Sequence, residues 1–196
     1  MRLLLIRHGQ TQSNVDHLLD TAFPGAPLDE LGQEQARDLV AALEDEPIDA
    51  IYASTLTRAQ ETAAPLAKAR GLEVQVIDGT QEISAGVEEM NADWTNYTNE
   101  LANWSFENMD SKLEEGESAR EFLSRFDGAI ADIEATGARH VAMVSHGAAM
   151  RVWGITQSRG TVDVHLMAPL RNTEWIVFEG SVADGWTIER WGKTLI

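Results

Sequence analysis

The chain's 196 residues, 43% apolar and 24% charged, suit one globular domain, and a chain of this length buries about 70% of its extended surface, enough for a core without cross-links. It holds no cysteine, which excludes disulfides, thiolate metal sites and cysteine nucleophiles and fits a cytoplasmic protein. A formal net charge of −17 argues against nucleic acid and anionic membrane surfaces as partners, so any phosphate-handling site must be a local positive island.

In chain order, the apolar run Leu3 to Ile6 is too short for a signal peptide or a membrane span and reads as a strand buried on both faces of a parallel sheet. A polar stretch, Gly9 to Asp20, and a loop with Pro24, Gly25 and Pro27 follow. Asp29 can cap a helix to about Glu46, with Leu31, Ala36, Leu39, Val40 and Leu43 on its apolar side. Ile48 to Ala53 is a second strand. Ser54 or Thr55 can cap the next helix, which carries Leu56, Ala59, Ala63, Leu66 and Ala67 and ends near Gly71. Leu72 to Ile77 is a third strand.

The segment 84–117 differs from its surroundings. It carries Met90, Trp94, Tyr97, Trp104, Phe106 and Met109, with nine acidic residues against Lys112 alone. It reads as a helical cap inserted in a single domain spanning 1–196; an ordinary surface hairpin of helices fits the pattern equally well. Ser118 opens a helix whose apolar face holds Phe122, Phe126, Ile130 and Ile133. His140 to Ser145 is a strand and Gly147 to about Gln157 a helix. The stretch Ser158 to Asn172 fits no element, and Glu174 to Glu179 and Trp186 to Trp191 are closing strands. Strands alternating with helices predict an α/β fold: a three-layer α/β/α sandwich with a mostly parallel central sheet.

In such sheets ligands sit beyond the carboxyl ends of the strands. Three predicted strands end in residues suited to phosphate: at Arg7-His8-Gly9, at Ser54 to Arg58, and at Ser145-His146-Gly147. Arg7 offers forked donors that match phosphate oxygens in pairs, although an isolated arginine there serves equally as a surface cap. His8 is either a satisfied strand-end histidine or a nucleophile, the latter if one ring nitrogen is held as a donor. Gly9 lets the chain turn and leaves room for in-line attack. Arg58 stands in the first turn of its helix, against the macrodipole, which an anion shared with that helix end explains better than stability does. His146 precedes another helix start and suits a charged phosphate ligand. Glu82 follows the third strand, where a carboxyl can hold a proton for a leaving alkoxide. His8, His146 and Glu82 are also conceivable metal ligands, but Arg7 and Arg58 beside them would weaken metal binding.

These residues fall into a larger pattern. Arg7-His8-Gly9-Gln10-Thr11 with Asn14, Pro27-Leu28, Leu31-Gly32 with Gln35-Ala36, and Ser54-x-Leu56-x-Arg58-Ala59-x-x-Thr62-Ala63 are followed by Glu82, Gly116-Glu117-Ser118 and Ser145-His146-Gly147. In that order they resemble the histidine phosphatase superfamily, which includes cofactor-dependent phosphoglycerate mutases. The resemblance implies a transient phosphohistidine on His8, with Glu82 as acid and then base. It implies that Arg7, Asn14, Arg58 and His146 bind the phosphoryl group, and that no metal or organic cofactor takes part. After Glu82 the chain reads Ile83-Ser84-Ala85-Gly86-Val87-Glu88-Glu89-Met90, where small phosphatases of the family often carry Gly-x-Trp/Leu-x-Gly, so no relative's substrate carries over. The length is closer to the short phosphatases than to the mutases. The expected function is hydrolysis of a small phosphate monoester by a monomer or homodimer. The alternatives are a mutase-type phosphotransferase, a metal hydrolase, and a phospho-ligand binding protein without turnover.

Overall fold

The computed structural model describes residues 1–160 and 167–196. Seven strands form one sheet: β1 (Arg2–Arg7), β2 (Ala50–Ala53), β3 (Val74–Val76), β4 (His140–Ser145), β5 (Trp175–Ser181), β6 (Gly185–Trp191) and β7 (Thr194–Leu195). Their order is β3-β2-β4-β1-β5-β6-β7. β1 to β4 are mutually parallel, and β5, β6 and β7 extend the sheet by antiparallel pairing.

The run Leu3 to Ile6 is completely buried, as a strand covered on both faces must be. Successive side chains leave opposite faces. Leu3 and Leu5 join Phe122, Phe126, Ile130, Met143 and Trp153, so α5 (Ala119–Ala135) and α6 (Gly147–Ser158) cover one side. Leu4 and Ile6 join Leu39, Leu43, Ala59, Ala63 and Leu66, so α2 (Glu30–Ala42) and α3 (Thr57–Arg70) cover the other. Burying each such leucine or isoleucine contributes about 1.5–3 kcal/mol. On α5, Ser118 and Glu121 form a reciprocal capping box, which sets where that helix begins. Helix, sheet, helix: the expected three layers are present.

Several local expectations shift. α2 begins after its Asp29 cap, but Leu31 on its first turn is 46% exposed; the core-facing stripe starts at Ala36 and Leu39. A short α1 (Gln12–Val15), capped by Thr11, interrupts the polar stretch after β1. α3 has no side-chain cap: its N-cap is Leu56, and neither Ser54 nor Thr55 serves. Helix in 84–117 is confined to a 3-10 turn at Gly86–Glu88 and to α4 (Thr95–Asn103); Tyr97 from α4 is buried in the α5/α6 core. β7 went unread. Of the stretch Ser158 to Asn172, residues 161–166 lie outside the described residues. No helix among the described residues is long and apolar enough to cross a membrane.

Candidate active site

The strand order sets β2, β4 and β1 side by side, so the groups just past their carboxyl ends meet. At the end of β1, the His8 amide donates to Ser145 at the end of β4 (3.0 Å). His8 Nδ1 lies 2.7 Å from the Gly9 carbonyl oxygen. A carbonyl only accepts, so Nδ1 carries the hydrogen and Nε2 keeps its lone pair. The ring is buried, and burial together with the charges of Arg58 and Arg7 holds its pKa well below the ordinary histidine value. His8 is therefore neutral at neutral pH. The Gly9 amide donates to Thr62 Oγ1 (2.9 Å), and that hydroxyl donates to the Arg58 carbonyl (2.7 Å), tying the end of β1 to α3. The missing side chain of Gly9 admits not an attacking group but Gly32: a Cβ there would lie 2.7 Å from the Gly32 carbonyl oxygen.

Two guanidiniums bear electrostatically on the imidazole. Arg7 donates through Nη1 to the Leu170 carbonyl, and its Nε is buried with no partner. A Cβ on Gly147 would touch that Nε at 3.3 Å, so Arg7 lies against the start of α6. Arg58 is 3% exposed, and its Nη2 donates to the Asp20 carbonyl (2.7 Å). Its Nη1 is 3.6 Å from Asp20 Oδ1, beyond hydrogen-bond reach, and is buried without a partner. Asp20 in turn accepts from Ser13 Oγ (2.8 Å) and the Ala26 amide (2.9 Å). Arg58 thus opposes its helix dipole as expected, but Asp20 already supplies part of the compensating charge.

His146 follows β4 and is fully buried, its ring centroid 5.2 Å from that of His8. Burial, then Arg58 and His8, hold its pKa well below the ordinary value. Burial and the neighbouring charges thus favour the neutral ring, whereas the sequence suggested a charged one. Its Nε2 is 2.7 Å from Ser54 Oγ, and its Nδ1 has no partner.

Glu82 reaches the first turn of α6. Its Oε1 accepts the amides of Ala149 (2.7 Å) and Ile83 (2.9 Å), and its Oε2 accepts that of Ala148 (3.0 Å). A carboxylate is favoured at such a helix end. Arg125 braces the segment before it, donating to the carbonyls of Gly79, Gln81 and Glu82 and pairing with Glu117. Asn14 caps α1 through Oδ1, which also accepts from Asn172 Nδ2 (3.1 Å); the same Nδ2 reaches the His8 carbonyl (3.0 Å). That leaves Asn14 Nδ2 as the donor suited to a phosphate.

The six residues singled out from the sequence therefore surround one end of the sheet. Sequence reasoning missed Ser54, Thr62, Asp20, Arg125 and Asn172, which hold them in place. Of these, only Ser54 and Thr62 carried a signal, as members of the Ser-x-Leu-x-Arg-Ala-x-x-Thr-Ala block. Among the described residues no group of three His, Asp or Glu side chains is arranged to hold a metal ion.

The profile of the histidine phosphatase superfamily (branch 1) matches residues 3–194. The adenosylcobalamin/alpha-ribazole phosphatase of Escherichia coli K12 is 43% identical over 90 residues, covering 46% of this chain and 44% of that protein. The probable phosphoglycerate mutase GpmB of Escherichia fergusonii is 30% identical over 156 residues, covering 76% and 71%. Among solved structures, the alpha-ribazole phosphatase from Shigella flexneri superposes with a TM-score of 0.73 at 29% identity over 99% of this chain and 96% of that one. The match spans less than half of the K12 phosphatase, and only 14% of another curated relative, a PE-PGRS family protein of Mycobacterium tuberculosis.

Proposed function

Because the chain belongs to the histidine phosphatase superfamily, we propose that it is a phosphomonoesterase working through a phosphohistidine on His8. One observation carries this reading. Arg7 Nε, Arg58 Nη1 and His146 Nδ1 are buried polar atoms without partners; the His146 ring lies 5.2 Å from that of His8, and both arginines act electrostatically on His8. Unpaired buried donors each cost about 1–3 kcal/mol, and three together indicate an absent common acceptor. A phosphoryl group with three equatorial oxygens supplies one.

In the first step His8 Nε2 attacks phosphorus, the phosphorus–ester oxygen bond breaks, and Glu82 delivers a proton to the departing alkoxide. In the second, Glu82 takes a proton from water, whose oxygen attacks phosphorus as the nitrogen–phosphorus bond breaks. Arg7, Arg58, His146 and Asn14 hold the phosphoryl oxygens throughout. No cofactor is required.

The substrate class follows from the acidic segment 84–117, which we read as the cap of a single domain spanning 1–196. Its one cation, Lys112, is engaged by Glu121 (2.9 and 3.0 Å). A small monoester with a neutral, aromatic or cationic remainder suits that surface better than a bisphosphate. The likeness to GpmB favours a second reading, mutase-type transfer between substrate hydroxyls, but the segment's one cation, Lys112, is paired with Glu121 and outnumbered by nine carboxylates. We place the enzyme in the cytoplasm as a monomer or homodimer, with neither a nucleic-acid nor a membrane partner.

The test is a panel of phosphate monoesters with wild type and His8→Ala, together with phosphoenzyme trapping under an alkaline quench. Labelling in the wild type and none in His8→Ala is expected. Labelling that survives His8→Ala defeats the reading.

A further inference from the structure

We infer that Ser54 is a positioning residue that locks His146 in the Nδ1–H tautomer, making it a hydrogen-bond donor to the phosphoryl group. The inference deepens the phosphatase reading and rests on it.

Hydrogen-bond accounting leads there. Ser54 and His146 are both fully buried, and their side chains meet at 2.7 Å through Oγ and Nε2. Ser54 Oγ also accepts the Leu56 amide at 3.3 Å. A serine hydroxyl has one proton, and the ring nitrogen is the acceptor in reach of it. Ser54 then donates to Nε2, Nε2 carries no hydrogen, and in a neutral imidazole the proton must sit on Nδ1. That nitrogen is the buried atom without a partner. The opposite tautomer would aim a bare lone pair at the anion, a repulsive contact in place of a bond.

The local helix points the same way. Ser54 stands two residues before the N-cap of α3, and that cap, Leu56, makes no side-chain bond. A serine at the cap itself would stabilise α3 by about 1 kcal/mol. The hydroxyl is instead committed to the histidine. The arrangement also answers how a histidine whose charged form burial disfavours binds an anion: it needs a fixed tautomer rather than a positive charge. His8 uses the same device in mirror fashion. Its Nδ1–H is held by the Gly9 carbonyl so that Nε2 is bare and nucleophilic, whereas His146 has a bare Nε2 held by Ser54 so that Nδ1 donates.

The experiment is nitrogen-15 NMR of the ring nitrogens in the wild-type protein, with His146 assigned through His146→Asn. It is repeated with saturating inorganic phosphate and with Ser54→Ala. A pyridine-like Nε2 and a pyrrole-like Nδ1 are expected for His146, with Nδ1 shifting when phosphate is added. Ser54→Ala is expected to mix the tautomers and weaken phosphate about tenfold, the scale of one hydrogen bond to a charged group. It should raise the KM for monoesters as well as lower kcat. A pyrrole-like Nε2 in the wild type overturns the inference and leaves the phosphatase reading standing. An Nδ1 that ignores phosphate while the enzyme is still phosphorylated on His8 also overturns it. Absence of both phosphate binding and phosphoenzyme is the distinct signature of failure of the phosphatase reading itself. The wild-type spectrum decides the tautomer even if Ser54→Ala fails to fold.

Discussion

Glu82 Oε1 accepts the amide of Ala149 at 2.7 Å, so the carboxyl assigned to proton transfer is anchored on the first turn of the helix that His146 precedes. The neighbouring Ala148 amide binds the other oxygen. The proposed nucleophile, phosphate ligand and proton carrier are thereby referred to one junction between β4, β1 and α6.

That anchoring complicates the usual isostere. Glu82→Gln keeps the shape but sets a donor NH2 among three donor amides, leaving one unpaired at about 1–3 kcal/mol. The variant should be measurably less stable, and activity must be read as a ratio between substrates. For kcat/KM, which reports only steps through the first transfer, alkyl phosphates should lose about a hundredfold or more. Nitrophenyl phosphate, whose leaving group hardly needs a proton, should lose far less. Equal losses on both would show that Glu82 does not protonate the leaving group.

Stability should fall on mild acidification. The pKa values of His8 and His146 are both depressed in the folded protein, so below about pH 6.5 the unfolded chain binds protons that the native state refuses. The stabilisation is complete above that pH and is lost as pH falls toward the folded values. Each histidine contributes a slope of up to about 1.4 kcal/mol per pH unit. Denaturant unfolding between pH 5.5 and 7.5 should show that slope in the wild type and a smaller one in His146→Asn. A slope unchanged by His146→Asn would mean that the His146 ring is not held neutral by its surroundings.

How far the sequence could be read follows from which interactions are local. Leu3 to Ile6 declared a doubly covered strand because every side chain in it is apolar, and Ser118 declared a helix start because it stands just before a stretch with a helical apolar stripe. Arg7, His8 and His146 were legible because they stand where strands end, and Arg58 because it opposes its helix dipole. Their supports were not. Asp20 reaches Arg58 across 38 positions, Thr62 reaches Gly9 across 53, and Asn172 reaches His8 across 164. No periodicity encodes such pairings. Leu31 was misassigned because its helical phase fits the apolar stripe, while the loop after β1 covers only the Gly32 side of that first turn. A serine before a helix suits a cap, but the side-chain partner of Ser54, His146, lies 92 residues away.

Inorganic phosphate should stabilise the protein without any metal. Filling the three unpartnered donors gives about 1.4 kcal/mol at ten times the dissociation constant, a rise of roughly 3–6 °C in Tm for a chain of this size. A chelator should change neither this rise nor turnover. In Arg58→Met the rise should vanish, because one donor and one charge are removed from the anion's cradle. A rise that persists in Arg58→Met would place the anion elsewhere.

Gly25 offers a sharper probe of the same arginine. Its φ of +70° lies in the left-handed region, and a Cβ there would overlap Arg58 Nη1, the atom left free for phosphate. Gly25→Ala therefore combines a backbone penalty of about 1 kcal/mol with displacement of the guanidinium. Gly71 supplies the control. It caps α3 at a φ of +66°, and a Cβ there meets nothing within 4 Å, so Gly71→Ala carries the backbone penalty alone. The two variants should lose similar stability, but only Gly25→Ala should raise KM and the phosphate dissociation constant, by about tenfold if one charged hydrogen bond is lost. Parallel changes in both variants would attribute the effect to destabilisation of the fold. A Gly25→Ala enzyme with unaltered phosphate affinity would show that Arg58 Nη1 does not bind the anion.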